Sequence, residues 1–368
     1  MAQRTSLSSR YRDEVWLRMK KRPKVTANRV IRTVALFAGC GGLVVGTSEA
    51  CRRLKLQHRV ELANELDKDT LSIFESNLDP SVAICGDVSE LFNGSIKPSK
   101  LTNAEKKLIH TYPNIIEPDL LTGGPPCQGH SDLNNHSRRD DPRNDLYYRM
   151  IRAARVLKPK AIIIENVSTV IHSKERVVQQ SQELLEKMGY HVEQVMLWAN
   201  KFGVPQKRKR HFLLASRISK IDLSILEQYH HEEDRTLRWA IEDLLKEYPT
   251  DDTYNQPANS NAENQARMDW LIDENEWDLP NHLRPVCHQN GHNYPAVYGR
   301  MKWDEPSSTI TAGFRSNGQG RFTHPSAKPG RPLTPHEAAR IQTFPDWFTF
   351  YGKYTTGGSR RKDECPRY

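Results

Sequence analysis

Apolar runs along the first two-thirds of the chain alternate between a strand-like and a helix-like period. Arg32–Phe37 reads as a strand and Val44–Leu54 as a helix; Arg59–Ala63, Lys68–Asn77 and Val82–Cys85 repeat the alternation. Asp119–Leu121 is a short strand and Leu146–Leu157 a helix. Ala161–Ile164 is a run of four apolar residues, as expected of a parallel strand covered on both faces. Glu175–Met188 continues as a helix, with His191–Trp198 and His211–Ala215 as strands. Strands alternating with helices predict an α/β fold built on an open sheet. From about Ser216 to Val297 the pattern loosens. It holds one clear helix, Leu237–Glu247, and a stretch rich in Asn, Asp and Pro, Asp251–Ala262. Near the end, Thr334, Pro335 and Glu337 stand at the N-cap, N1 and N3 positions of a further helix.

These patterns divide the chain into four expected parts. Residues 1–30 form a basic N-terminal extension, either a solvated arm or a nucleic-acid grip. Residues 31–215 form the main sheet domain, 216–297 a smaller irregular region, and 298–368 its return towards the main domain.

Charge adds a partner class. The 368 residues carry a net charge of +9, with a pI near 9.2, which favours a polyanionic partner such as nucleic acid. Mean hydropathy is −0.73 and no run of about 18 apolar residues occurs, which argues against a membrane span. The first thirty residues lack the apolar core of a secretory signal. Six cysteines (Cys40, Cys51, Cys85, Cys127, Cys287, Cys365) form no Cys-x-x-Cys pair. That predicts a reducing, cytoplasmic setting with neither a disulfide frame nor a metal site. Cys287, His288 and His292 lie close together but lack a spaced fourth ligand.

The candidate chemistry gathers at predicted strand ends. The first strand runs into Ala38-Gly39-Cys40-Gly41-Gly42, a turn that lets a ligand lie against the backbone before a helix N-terminus. Its spacing is Gly-x-Gly-Gly rather than G-x-G-x-x-G, so a pyrophosphate cofactor is not the first choice. Glu65, at the tip of the second strand, stands where a ribose diol is usually held, and Asp87 follows the third. A cofactor with ribose and adenine but no phosphate demand fits S-adenosylmethionine. Thr122–Ser131 reads Thr-Gly-Gly-Pro-Pro-Cys-Gln-Gly-His-Ser, a stiff loop holding one thiol at a strand end, and Cys127 is the candidate nucleophile. Asn134–Asp145 reads as a mobile loop beside it, a candidate lid. Glu165 ends the Ala161–Ile164 strand at the same sheet edge. In Gln206-Lys207-Arg208-Lys209-Arg210, an extended backbone puts Arg208 and Arg210 on one face, available to an anionic site.

A thiolate, a carboxyl group, an arginine and a methyl donor suit one reaction. Cytosine C5 is too weak a nucleophile to take a methyl group directly. Thiolate attack at C6 makes C5 enamine-like if an acid engages N3 and a cation stabilises the charge developing at O2.

On these residues the chain resembles the DNA (cytosine-5) methyltransferase family. The resemblance rests on Leu36–Leu43, Gly123–Ser131, Glu165-Asn166-Val167, Gln206-x-Arg208-x-Arg210 and Arg331–Pro345, in the family's order over about residues 32–350. It implies a Rossmann-like S-adenosylmethionine-dependent methyltransferase sheet with a smaller target-recognition domain at about 216–297. It also implies duplex DNA as partner and restriction-modification or phage defence as the expected setting. Cys127 is then the nucleophile, Glu165 the N3 partner and Arg210, with Arg208 beside it, a stabiliser of the flipped base. Phe37, Gly39, Gly41, Gly42, Glu65, Asp87, Pro126 and Leu146 are implied to line the cofactor pocket. The chain departs from the family at Ala35, usually acidic, and at His130, usually Phe. The family closes with Gly-Asn-x-Val-Pro, and this chain ends at Arg367-Tyr368 near where that segment begins. The expectation is a truncated chain, or a second polypeptide supplying the motif. The alternatives are a catalytically incomplete DNA-binding subunit and a tRNA cytosine-5 methyltransferase.

Overall fold

The computed structural model describes residues 13–97, 100–126, 144–172, 176–245, 252–289, 297–326 and 328–350. They form two compact units. One comprises Pro23–Leu197 and Lys209–Tyr229; the other comprises Met1–Arg22, Trp198–Arg208 and His230–Tyr368.

The first unit is the α/β body. Its strands are β1 (Val30–Leu36), β2 (Gln57–Glu65), β3 (Ala83–Cys85), β4 (Leu120–Gly123), β5 (Ala161–Val167), β6 (His191–Trp198) and β8 (Lys209–Ser216). Its main helices are α1 (Gly42–Arg53), α2 (Lys68–Leu78), α3 (Asn103–Thr111), α4 (Asn144–Leu157) and α5 (Val177–Glu186). The sheet order is β3-β2-β1-β4-β5-β8-β6. Strands β1 to β5 pair in parallel, while β8 runs antiparallel to β5, with Val167 opposite Arg210, Asn166 opposite His211 and Glu165 opposite Phe212.

Burial on both faces explains the unbroken apolar runs. Val34, Ala35, Leu36, Leu62 and Ala63 are all essentially inaccessible. Helix α4 packs through Tyr147, Met150, Ile151, Ala154 and Leu157, the i, i+3, i+4, i+7 stripe of a core-facing helix. Chain order reverses between β1 and β4, which sit side by side. In open α/β sheets, that switch point opens a crevice beyond the carboxyl ends of the strands.

The second unit has its own core of Leu17, Leu237, Trp239, Ile241, Met301, Phe322, Leu333 and Ile341. It holds the short strands β7 (Gln206–Lys207) and β9 (Ser307–Ser308), paired in parallel, with α6 (Leu237–Ile241), α7 (Ala262–Asp273) and α8 (Pro335–Ile341). The expected helix over Leu237–Glu247 is shorter: α6 gives way to a 3-10 turn, Glu242–Leu245. Helix α7 was not anticipated; only Met268 and Leu271 of its twelve residues are buried, too thin a stripe to stand out from the polar background. Helix α8 starts as expected: the Thr334 hydroxyl accepts from Glu337 N and the Glu337 carboxylate accepts from Thr334 N. Residues 13–22 are not a solvated arm. Leu17 is buried in this core, its carbonyl accepts from Asp346 N, and Asp13 pairs with Arg235. No helix among the described residues is long and apolar enough to cross a membrane.

Candidate active site

The glycine turn after β1 is held by the tip of β2. Phe37 has a φ of 50°, outside the region that L-residues prefer, and its ring packs on the core. Ala38 N donates to Asn64 O, and Gly39 N donates to a Glu65 carboxylate oxygen at 2.9 Å. The other Glu65 oxygen accepts from Leu66 N at 2.9 Å and Asp67 N at 3.2 Å. Gly41 caps α1 at a φ of 102°, and a Cβ there would collide with Leu78 and press on Phe74. Gly42 is the exposed first residue of α1. Cys40, between these glycines, has its thiol pKa pushed up to about 12, chiefly by burial with Glu65 adding to it. That makes Cys40 a poor nucleophile, in contrast with the role assigned to Cys127.

The Asn64 amide ties β2 to the end of β3 by donating to Ile84 O and Gly86 O at 3.0 and 2.9 Å. Asp87 is exposed and caps the turn Val88–Leu91 by accepting from Ser89 N at 2.7 Å. Space above Gly39 and Gly86 is open: a Cβ at either would meet no atom within 4 Å. Glu65, Asp87 and the Gly39 turn thus share the carboxyl-end edge of β1, β2 and β3.

β4 delivers the next group to that edge. Gly123 lies between Met150 and the Leu36 carbonyl, too close for a side chain. Gly124 passes Glu165, where a Cβ would sit 3.3 Å from the carboxylate. Pro125 is buried and Pro126 exposed. Leu146, near the start of α4, is partly buried against the core. Cys127 and residues 128–143, with most of the expected lid, lie outside the described residues.

Glu165 lies two residues before the end of β5 rather than at its terminus, since the strand continues to Val167. Its carboxylate pairs with the Arg210 guanidinium at 2.9 Å, and both side chains are partly exposed. The pairing follows from register: Arg210 stands opposite Val167, so Glu165 is its diagonal neighbour on one sheet face. Arg208 falls just across the boundary between the units, and its backbone bonds to Gln206 O and Ala199 N.

One residue of this edge had no role assigned from sequence. Asn166 points to the opposite face from Glu165, is 3% exposed, and donates its amide to the Pro125 carbonyl at 3.1 Å. It fastens the Gly-Gly-Pro-Pro loop to β5. Its signal was an amide at the third of the alternate positions Ile162, Ile164 and Asn166, on an otherwise apolar strand face.

The comparisons with known proteins agree with this architecture. The model of the C-5 cytosine-specific DNA methylase family matches residues 31–362. The chain is 42% identical to the type II methyltransferase M1.BsuMI of Bacillus subtilis, over 92% of this chain and 78% of that one. It is 32% identical to the type II methylase M.HgiDII of Herpetosiphon aurantiacus, over 67% of this chain and 70% of that one. In fold it resembles the S. pombe Dnmt2 methyltransferase, with a TM-score of 0.56 at 18% identity, covering 91% of each chain. The Entamoeba histolytica methyltransferase EhMeth is also similar, with a TM-score of 0.54 at 18% identity, covering 88% of this chain and 89% of that one.

Proposed function

The chain belongs to the C-5 cytosine-specific DNA methylase family, and from that membership we propose that it methylates C5 of cytosine in duplex DNA, with S-adenosylmethionine as donor, in a type II restriction-modification setting. The observation that carries the reading is the Glu165–Arg210 pair, beside the Gly124–Pro126 segment that leads to Cys127.

The residues at the switch point fit the cofactor. Three backbone N–H groups occupy three of the roughly four lone-pair sites of the Glu65 carboxylate, leaving one for a ribose hydroxyl. The open face above Gly39 and Gly86 admits a flat ligand against the backbone, with Phe37, Gly41, Gly42, Asp87, Pro126 and Leu146 as the proposed surroundings. When bound, S-adenosylmethionine supplies an electrophilic methyl group on a sulfonium.

The chain's own residues do the rest. The target cytosine leaves the duplex stack, because its C6 cannot be reached inside it. The Cys127 thiolate bonds to C6 while Glu165 engages N3, and electron density moves to C5. Arg210 stabilises the charge at O2, with Arg208 as the second cation of that segment. After C5 is methylated it loses its proton to a base, and the C6–S bond breaks to regenerate the thiolate.

The test is transfer of labelled methyl groups to duplex DNA by purified protein. Wild type should methylate; Cys127→Ser should not, and duplexes containing 5-fluorocytosine should trap a covalent adduct through Cys127. Methylation surviving Cys127→Ser would remove the nucleophile. Transfer to tRNA but not to DNA, or no transfer at all, would overturn the substrate or the activity.

A further inference from the structure

On the sheet face away from the Glu165–Arg210 pair, a polar chain that the proposed chemistry does not use runs from the buried His211 through half-buried Gln194 and Gln182 to the exposed Glu186. His211 is 2% exposed and stands directly opposite Asn166, the residue that holds the Pro125 carbonyl. Its Nε2 is 3.0 Å from Gln194 Oε1 on β6. Gln194 Nε2 donates to Gln182 Oε1 on α5 at 2.6 Å, and Gln182 Nε2 donates to Glu186 Oε1 at 2.8 Å.

The direction of this chain follows from its end. A carboxylate only accepts, so Gln182 must turn its amide nitrogen to Glu186 and its oxygen to Gln194. Gln194 then turns its oxygen to His211, and Nε2 of the imidazole must carry the proton. Nδ1 is left bare, buried and without a hydrogen-bond partner among the described residues. His211 is therefore a neutral imidazole. Burial agrees, lowering its pKa to about 4.

An apolar side chain at 211 would remove the bare Nδ1 and leave only the half-exposed Gln194 oxygen to water, so the arrangement is a weak source of stability. Its place in the sheet suggests another role. β8 lies between β5 and β6, and a slip of one residue would move Arg210 to the face away from Glu165. The His211–Gln194 bond is a side-chain tie from β8 to β6, immediately next to Arg210.

We propose that His211 is a positioning residue: its bond to Gln194 holds β8 in the register and orientation that keep Arg210 on Glu165. This rests on the catalytic reading above. The test compares His211→Leu, Gln194→Leu and His211→Gln with wild type, the last keeping an N–H donor for Gln194. His211→Leu should hold or raise the melting temperature, while Gln194→Leu, which strands the buried Nε2–H, should lower it by a few degrees; both should leave the KM values within about twofold, yet lower kcat about tenfold or more, as for a small misplacement of a reacting group. His211→Gln should recover most of kcat. A second readout needs no turnover: the Arg210 Nε–H resonance, assigned with Arg210→Lys, should shift or broaden in the leucine variants and not in His211→Gln. Full kcat with an unmoved resonance in the leucine variants overturns the proposal. So does a loss of kcat that simply tracks a lower melting temperature. A wild type without methyl transfer would overturn the catalytic reading, while the resonance still decides the positioning role.

Discussion

Arg152 and Glu105 offer the sharpest test of what holds the α/β body together. Both side chains are fully buried, and the guanidinium grips the carboxylate with two bonds, at 2.7 and 2.5 Å. Arg152 also donates to Ser95 O and Lys100 O, while Glu105 accepts from Gly94 N and Thr102 N. All four lone-pair sites of the Glu105 carboxylate are taken, which joins α4 to the start of α3 and to the 94–95 turn. Desolvation opposes ionisation of Glu105, but the Arg152 and backbone bonds outweigh it and hold its pKa below the usual carboxylate range. Arg152→Met leaves a buried carboxylate with two backbone donors and frees two carbonyls. Breaking such a pair from one side costs about 3–5 kcal/mol. In a domain of this size that lowers the melting temperature by roughly 6–20 °C. The double variant Arg152→Met/Glu105→Leu should recover about 2 kcal/mol or more relative to the sum of the single changes, because no charge is stranded.

The assay must read the correct unit. Six of the seven tryptophans (Trp16, Trp239, Trp270, Trp277, Trp303, Trp347) belong to the second unit and Trp198 is the exposed last residue of β6, so tryptophan emission is a poor report on α3 and α4. Far-UV circular dichroism melts with hydrogen exchange on peptides from α3 and α4 read them directly. A loss below about 1 kcal/mol in Arg152→Met, or strictly additive single changes, would refute the claim that the two charges depend on each other.

Two further outcomes follow from single residues. Gly41→Ala forces a side chain into a φ of 102° and onto Leu78 and Phe74, so it should destabilise by about 1–3 kcal/mol. Isothermal titration should also show weaker S-adenosylmethionine binding, and unchanged affinity would separate Gly41 from the pocket. His324 is buried, with its pKa lowered to about 4 chiefly by burial, although Glu337 lies 3.4 Å away and opposes the shift. The unfolded chain therefore takes up a proton near pH 6.5 that the folded chain refuses, and stability falls as pH drops from about 6.5 towards 4, by at most about 1.4 kcal/mol per pH unit. Tryptophan-detected denaturation isolates this unit from the similar effect of His211, and a slope unchanged in His324→Asn would contradict the assignment.

Much of this architecture was legible because local signals and global fold agreed. β6 matches its expected span residue for residue, and the Thr334–Glu337 box opens α8 where the capping pattern put it. Apolar runs delivered Glu65 and Glu165 to the carboxyl edge because a parallel sheet leaves few other places for a strand to end. Helix α7 and the short extent of α6 were not legible, since packing rather than periodicity defines them. Nor were the Asn166–Pro125 and His211–Gln194 bonds. Each joins groups on separate strands or loops, and no local pattern encodes such a partner.

The three strand-edge carboxylates show where that boundary lies. In sequence, Glu65, Asp87 and Glu165 are the same feature, an acidic residue closing an apolar run. In the fold their partners differ. Glu65 is filled by three backbone N–H groups, which hold the glycine turn and leave one lone pair for a ligand. Asp87 turns back to cap its own helical turn. Glu165 meets a guanidinium on a long side chain, a partner with freedom to move that a backbone amide lacks. What makes Glu165 the candidate for proton chemistry is therefore the neighbouring antiparallel strand β8, which starts at the edge where β5 ends and so brings Arg210 to it on the same sheet face.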